Sequence, residues 1–102
     1  MDSPLLTDIE DRTLAMAEDE YVHFKTVRPV LGTFYERDVS FREISSIVDR
    51  LSSLGFIRWR ILRQGNLYFR SHAPHAVQHN CSAQFTATAA GNSYLQEPRH
   101  VA

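Results

Sequence analysis

Apolar residues along this chain recur first at helical spacing, then at alternate positions, and finally without order. Leu5, Leu6, Ile9, Thr13, Met16 and Ala17 fall on one side of a 3.6-residue repeat, which predicts a helix over 3–18. Ser3 suits its cap and Pro4 its first position. Asp8, Glu10 and Asp11 lie near its positive end and leave an acidic outer face. Glu20 to Lys25, EYVHFK, is short and rich in β-branched and aromatic side chains, so it reads as a brief strand or the lead into a helix. Val27, Val30, Leu31 and Phe34 share a face in the segment that follows. Pro29 is tolerated only in a first turn, so this second helix is expected to start near Thr26 and run to Tyr35. Gly32 weakens it, and 36–39 reads as a turn.

The clearest element comes next. Ser40 and Glu43 form a capping box. Phe41, Ile44, Ile47, Val48, Leu51 and Leu54 make an apolar stripe, and Gly55 supplies a left-handed stop. The opposite face carries Arg42, Ser45, Ser46, Asp49, Arg50 and Ser53. From Phe56 the period changes to two: Ile57, Trp59 and Ile61 alternate with Arg58 and Arg60. Arg63-Gln64-Gly65-Asn66 is a tight turn, and Leu67 to Arg70 is the return strand of a hairpin. The pattern ends at His72. Residues 73–102 are rich in Ala, Ser, Thr, Gln, Asn and His, and are expected to form a disordered tail with at most a weak helix over 82–90.

The order helix, short strand, helix, turn, helix, strand, turn, strand resembles the winged helix-turn-helix superfamily. The residues that carry the resemblance are Ser40, Glu43, Ile44, Ile47, Val48, Leu51, Leu54, Gly55, Phe56 and Ile57. They are similar to the recognition helix and first wing strand of MarR-, ArsR- and PadR-type repressors and of replication-initiator winged helices. The resemblance spans about residues 5–71 and is one of fold. It implies a mainly α domain with a small β-hairpin (α+β), three helices and a two- or three-stranded wing sheet, occupying 1–72. It also implies a DNA-binding transcriptional regulator acting on double-stranded DNA as a homodimer. The recognition helix, 40–54, would enter the major groove and present Arg42, Ser45, Ser46, Asp49 and Arg50 to base edges and phosphates. The wing, 56–70, would hold the backbone through Arg58, Arg60, Arg63 and Arg70.

Charge complicates this picture. The 102 residues carry a net charge of −1, unusual for a nucleic-acid binder. Its distribution is uneven: residues 1–20 hold seven acids against one arginine, whereas 36–72 hold seven arginines against four acids. Ten of the eleven basic residues are arginine, whose planar fork fits phosphate and guanine edges. A GC-rich genome would give the same bias. The rival expectation is therefore a winged helix that binds protein, as an adaptor or complex subunit, with the acidic N-terminal helix as a contact. A replication or recombination accessory is a third reading. Convergence of Arg42, Arg58, Arg60, Arg63 and Arg70 on one face would favour DNA, and a scattered arrangement would favour protein.

Other chemistry is less well represented. His72, His75, His79 and Cys81 lie close together and include zinc-ligand types, but in a polar segment with nothing to bury a metal, so no metal site is expected. There is no Gly-rich phosphate loop, no H-E-x-x-H and no G-x-S-x-G, so the chain is expected not to be an enzyme and to need no cofactor. No run is long enough to span a membrane. The acidic start lacks a secretory n-region, and the single cysteine suits a reducing compartment, so a cytoplasmic location is expected.

Overall fold

The computed structural model describes residues 5–70 and 83–97. Eight elements follow in chain order: α1 (Asp8–Met16), β1 (Val22–His23), α2 (Phe24–Tyr35), α3 (Phe41–Ser53), β2 (Ile57–Arg63), β3 (Asn66–Arg70), β4 (Ala83–Ala87) and α4 (Ala89–Gln96). The class is α+β: the described residues form four helices and one four-stranded antiparallel sheet in the order β1-β4-β2-β3.

α1 starts later than its apolar spacing predicts. Its cap is Thr7, which forms a reciprocal capping box with Glu10; Ser3 and Pro4 lie outside the described residues. Thr13, Leu14 and Ala17 are buried, whereas Leu5 is exposed. α2 begins two residues earlier than expected, so Pro29 sits in its second turn. There it deprives only the carbonyl of Lys25 of its helical donor, an exposed position in the first turn.

The sheet differs most from expectation. Where a disordered tail is expected from residue 73, Ala83–Ala87 forms the strand between β1 and β2, and Ala83, Phe85 and Ala87 are buried. α4 replaces the weak helix expected over 82–90. The domain therefore does not end at residue 72, and the sheet has four strands rather than two or three. β4 is fixed to the helices at several points. The amide of Ala87 and the hydroxyl of Thr86 both donate to the carbonyl of Ala17, at 3.0 and 3.1 Å. Thr88 caps α4 and donates to the carbonyl of Gly55 at 2.6 Å. Gly91 lies so close to the carbonyl of Phe56 that any side chain there would collide with it. The hydroxyl of Tyr94 accepts from the amide of Leu6 at 3.0 Å.

The core lies between the helices and one face of this sheet. It centres on fully buried Trp59, whose ring sits 5.1 Å from Phe85 and 6.3 Å from Phe24. Its indole N–H donates to the hydroxyl of Ser52 at 3.0 Å, which satisfies the one polar atom the ring buries. Leu14, Val27, Leu31, Val39, Ile44, Val48 and Leu51 complete the core. Phe24 is buried, whereas Phe34 and Phe41 are exposed although each continues the apolar face of its helix, and Tyr21 and Tyr35 are half-buried.

Candidate nucleic-acid interface

α3 is held as its sequence pattern predicts. Ser40 accepts from the amide of Glu43, and Ile44, Ile47, Val48 and Leu51 bury the inner face. The capping box is only half formed, because the carboxylate of Glu43 turns to Arg37. Arg37 grips both of its oxygens, at 3.0 and 2.8 Å. This bidentate pair holds the Glu43 carboxyl below its ordinary range and raises the Arg37 guanidinium. Behind the turn, Arg28 donates to the carbonyl of Val39 at 2.8 Å and to Asp38 at 3.3 Å, and lies over the Phe41 ring. The turn between α2 and α3 is thus tied down by two arginines, neither left over for a ligand.

The outer face of α3 is uncovered. Arg42, Ser46 and Asp49 are exposed and Ser45 is half-buried. Among the described residues Arg42 has no ion-pair partner. Arg50, nominated with them, is engaged elsewhere. Its guanidinium pairs with buried Glu10 on α1 and donates to the carbonyl of Leu5 at 3.2 Å. Glu10 has a second task in the capping box of α1, so this pair clamps α1 onto α3. In the same first turn of α1, Asp8 accepts from the hydroxyl of Tyr35. Burial pushes that hydroxyl's pKa up, and Asp8 adds to the shift.

The hairpin arginines do not share a face. Trp59 stands opposite Phe85, so its alternating neighbours Arg58 and Arg60 lie on the sheet face away from α3. Arg60 stacks over Tyr21 at 3.8 Å, and its Nε donates to Gln84 at 2.5 Å; Gln84 in turn contacts His23. Arg58 is exposed on that face. Arg70 stands opposite Trp59 in register, on the α3 side, and is exposed. Arg63 occupies the strand end at the turn, opposite Asn66. The arginines meant to converge therefore do not: Arg58 and Arg60 lie on the opposite side of the sheet from Arg70 and α3.

Sequence reasoning missed the residues that fix these arginines: Glu10, Tyr21 and Gln84. Glu10 carried a signal, since it lies three residues after Thr7 in a capping box. Tyr21 and Gln84 carried none, because their partners are distant in sequence. His72, His75, His79 and Cys81 lie outside the described residues. Among the described residues no group of three His, Cys, Asp or Glu side chains is placed to hold a metal. No helix there is long and apolar enough to cross a membrane. Comparison of the chain with protein-family models, with curated proteins and with solved structures finds no match.

Proposed function

We propose that this chain is a winged-helix-type module that contacts duplex DNA through the outer face of α3. The observation that carries the reading is the α2–turn–α3 pair, whose second helix is held on its apolar side and left bare on a polar side bearing an unpaired arginine. Support comes from the placing of β1, the short strand between α1 and α2, in one sheet with the hairpin. In this reading the return strand of the wing is β4, and β3 is an added strand on the far side of β2. Arg42 forks onto guanine or phosphate, and Ser45 and Ser46 bond to phosphate or base edges. Asp49 accepts from cytosine or orients Arg42. Arg70 and the turn at Arg63 approach the backbone. Arg50, Arg58 and Arg60 take no part in it.

The contact is small, so binding is weak and its salt dependence shallow. Three phosphate contacts per copy give a slope of log affinity on log salt of about −3. Fluorescence anisotropy with random duplex DNA at low and moderate salt tests this. Arg42→Ala should weaken binding across all sequences and reduce the slope by about 1. Absence of binding at low salt sinks the proposal. The second reading, a protein-interaction module, then takes its place. It is favoured by the division of the arginines between two faces and by the apolar side chains exposed along the hairpin.

A further inference from the structure

Among the described residues β3 is the edge strand of the sheet, and apolar side chains on it and beside it are exposed. Leu62, Leu67, Tyr68 and Phe69 are each about half exposed, Phe69 the most at 63%. Three of them are contiguous: Leu62 stands opposite Leu67, and Phe69 lies two pairs further along on the same face, while Tyr68 lies on the other. An apolar patch of this kind, bordered on its own face by Arg60, marks a contact surface.

From this geometry we infer that β3 pairs with β3 of a second copy, antiparallel, about a two-fold axis at Tyr68. The inference does not depend on the DNA reading. The register follows from the hairpin. Arg63 and Asn66 flank a two-residue loop and are therefore a hydrogen-bonded pair, and pairs alternate from there. Asn66, Tyr68 and Arg70 thus turn their backbone groups toward β2. Leu67 and Phe69 turn theirs to the free edge. Two edges joined at Tyr68 place Leu67 opposite the partner's Phe69 and Phe69 opposite the partner's Leu67, a match that closes four backbone hydrogen bonds. The same register sets Arg70 against the partner's Asn66, so no two arginines on the paired strands face each other directly. On one face Leu62, Leu67 and Phe69 of both copies form a single apolar strip.

The area fits a weak dimer. With about 150–250 Å² for a whole aromatic side chain and less for leucine, four half-exposed residues can contribute at most about 350 Å² per copy, or about 700 Å² per pair, before the backbone edges are counted. This is below the area of a standard stable interface and in the range of transient ones, so the dimer is expected in the micromolar range.

Sedimentation equilibrium of the full chain, from low to high micromolar concentration, should show reversible dimerisation. Leu67→Glu alone and Phe69→Arg alone should each abolish it, with circular dichroism confirming the fold. The double variant Leu67→Glu/Phe69→Arg should restore it, because the register sets the new charges opposite each other. On a Cys81→Ser background, Tyr68→Cys should form an intermolecular disulfide under mild oxidation and Leu67→Cys should not, since only position 68 meets its own copy across the axis. A monomer at all concentrations overturns the inference and leaves the edge to a different partner. A dimer that survives both single variants, or a double variant that stays monomeric, overturns the register.

Discussion

One strand, β2, runs through two different environments. Its first five residues, with Ile57, Trp59 and Ile61 buried, are flanked by β4 and covered by the helices; its last two, Leu62 and Arg63, have only β3 beside them among the described residues. The apolar side chains of β2 point to the helices as far as Ile61; at Leu62 the alternation breaks, and an apolar side chain stands on the opposite face, the one that bears Arg58 and Arg60. In the body, every inward residue meets a partner from a distant part of the chain. In the arm, Leu62 and its neighbours on β3 face water. Apolar residues of one hairpin therefore build a core in one place and an open surface in the other. β4 runs along the first part of β2 and not along the second.

The sharpest test of this contrast pairs a body residue with an arm residue of similar size. Trp59→Ala should cost about 3–5 kcal/mol and come close to unfolding the protein, as measured by urea denaturation. Phe69→Ala, on a dilute monomeric sample, should change stability by about 0.5 kcal/mol or less. Comparable losses at both sites would mean that the arm is packed, and the contrast would fail. Next in size is Gly91→Ala. The added methyl group would collide with the carbonyl of Phe56, so α4 must shift, at a cost of about 1–3 kcal/mol in the same assay.

Gly65→Ala acts on the arm. Gln64 and Gly65 both have positive φ, +50° and +80°, as a two-residue hairpin loop requires. Open space surrounds Gly65, so only backbone strain opposes the change, about 1 kcal/mol. Its effect should be confined to faster amide exchange in β3, leaving exchange in α3 unchanged. The smallest effect is pH-dependent and belongs to the body. The Glu43 carboxyl is depressed in the fold by Arg37, so the pair's stabilisation is complete above the ordinary carboxylate value and is lost as pH falls through the lowered one. From about pH 5 to about pH 3 the melting temperature of the native chain should fall more than that of Glu43→Gln.

Some of this structure was legible in the sequence. α3 was read almost to the residue, because Ser40 marks its start, Gly55 its end, and a continuous apolar stripe fills the interval. The hairpin was equally clear, since period-two patterning flanked a Gly-containing turn. These signals are local. β4 was not read, although Ala83, Phe85 and Ala87 alternate with Gln84 and Thr86. Alanine has little strand preference, and the segment follows a long polar stretch. Its identity comes from its neighbours Val22 and Trp59, far away in sequence. The candidate interface was legible to the same extent. The exposed face of α3 was predicted, and the alternation of Arg58 and Arg60 with Trp59 was visible. The capture of Arg50 by Glu10 and of Arg60 by Tyr21 and Gln84 depended on tertiary contacts that no local pattern announces.

The central position of β4 also constrains the order of events in folding. α2, α3 and the β2–β3 hairpin need only near neighbours in sequence and can form early. β1 has no strand beside it until β4 arrives, because β4 alone pairs with it among the described residues. Closing the sheet means bringing Val22 and Phe85 together across the whole intervening chain, a slow, entropically opposed step. Until that step is complete, Trp59 lacks the ring of Phe85, and the apolar face of β2 stays open along its whole length. A fragment ending at residue 72 would remain in that state, prone to aggregate through its uncovered strand edges.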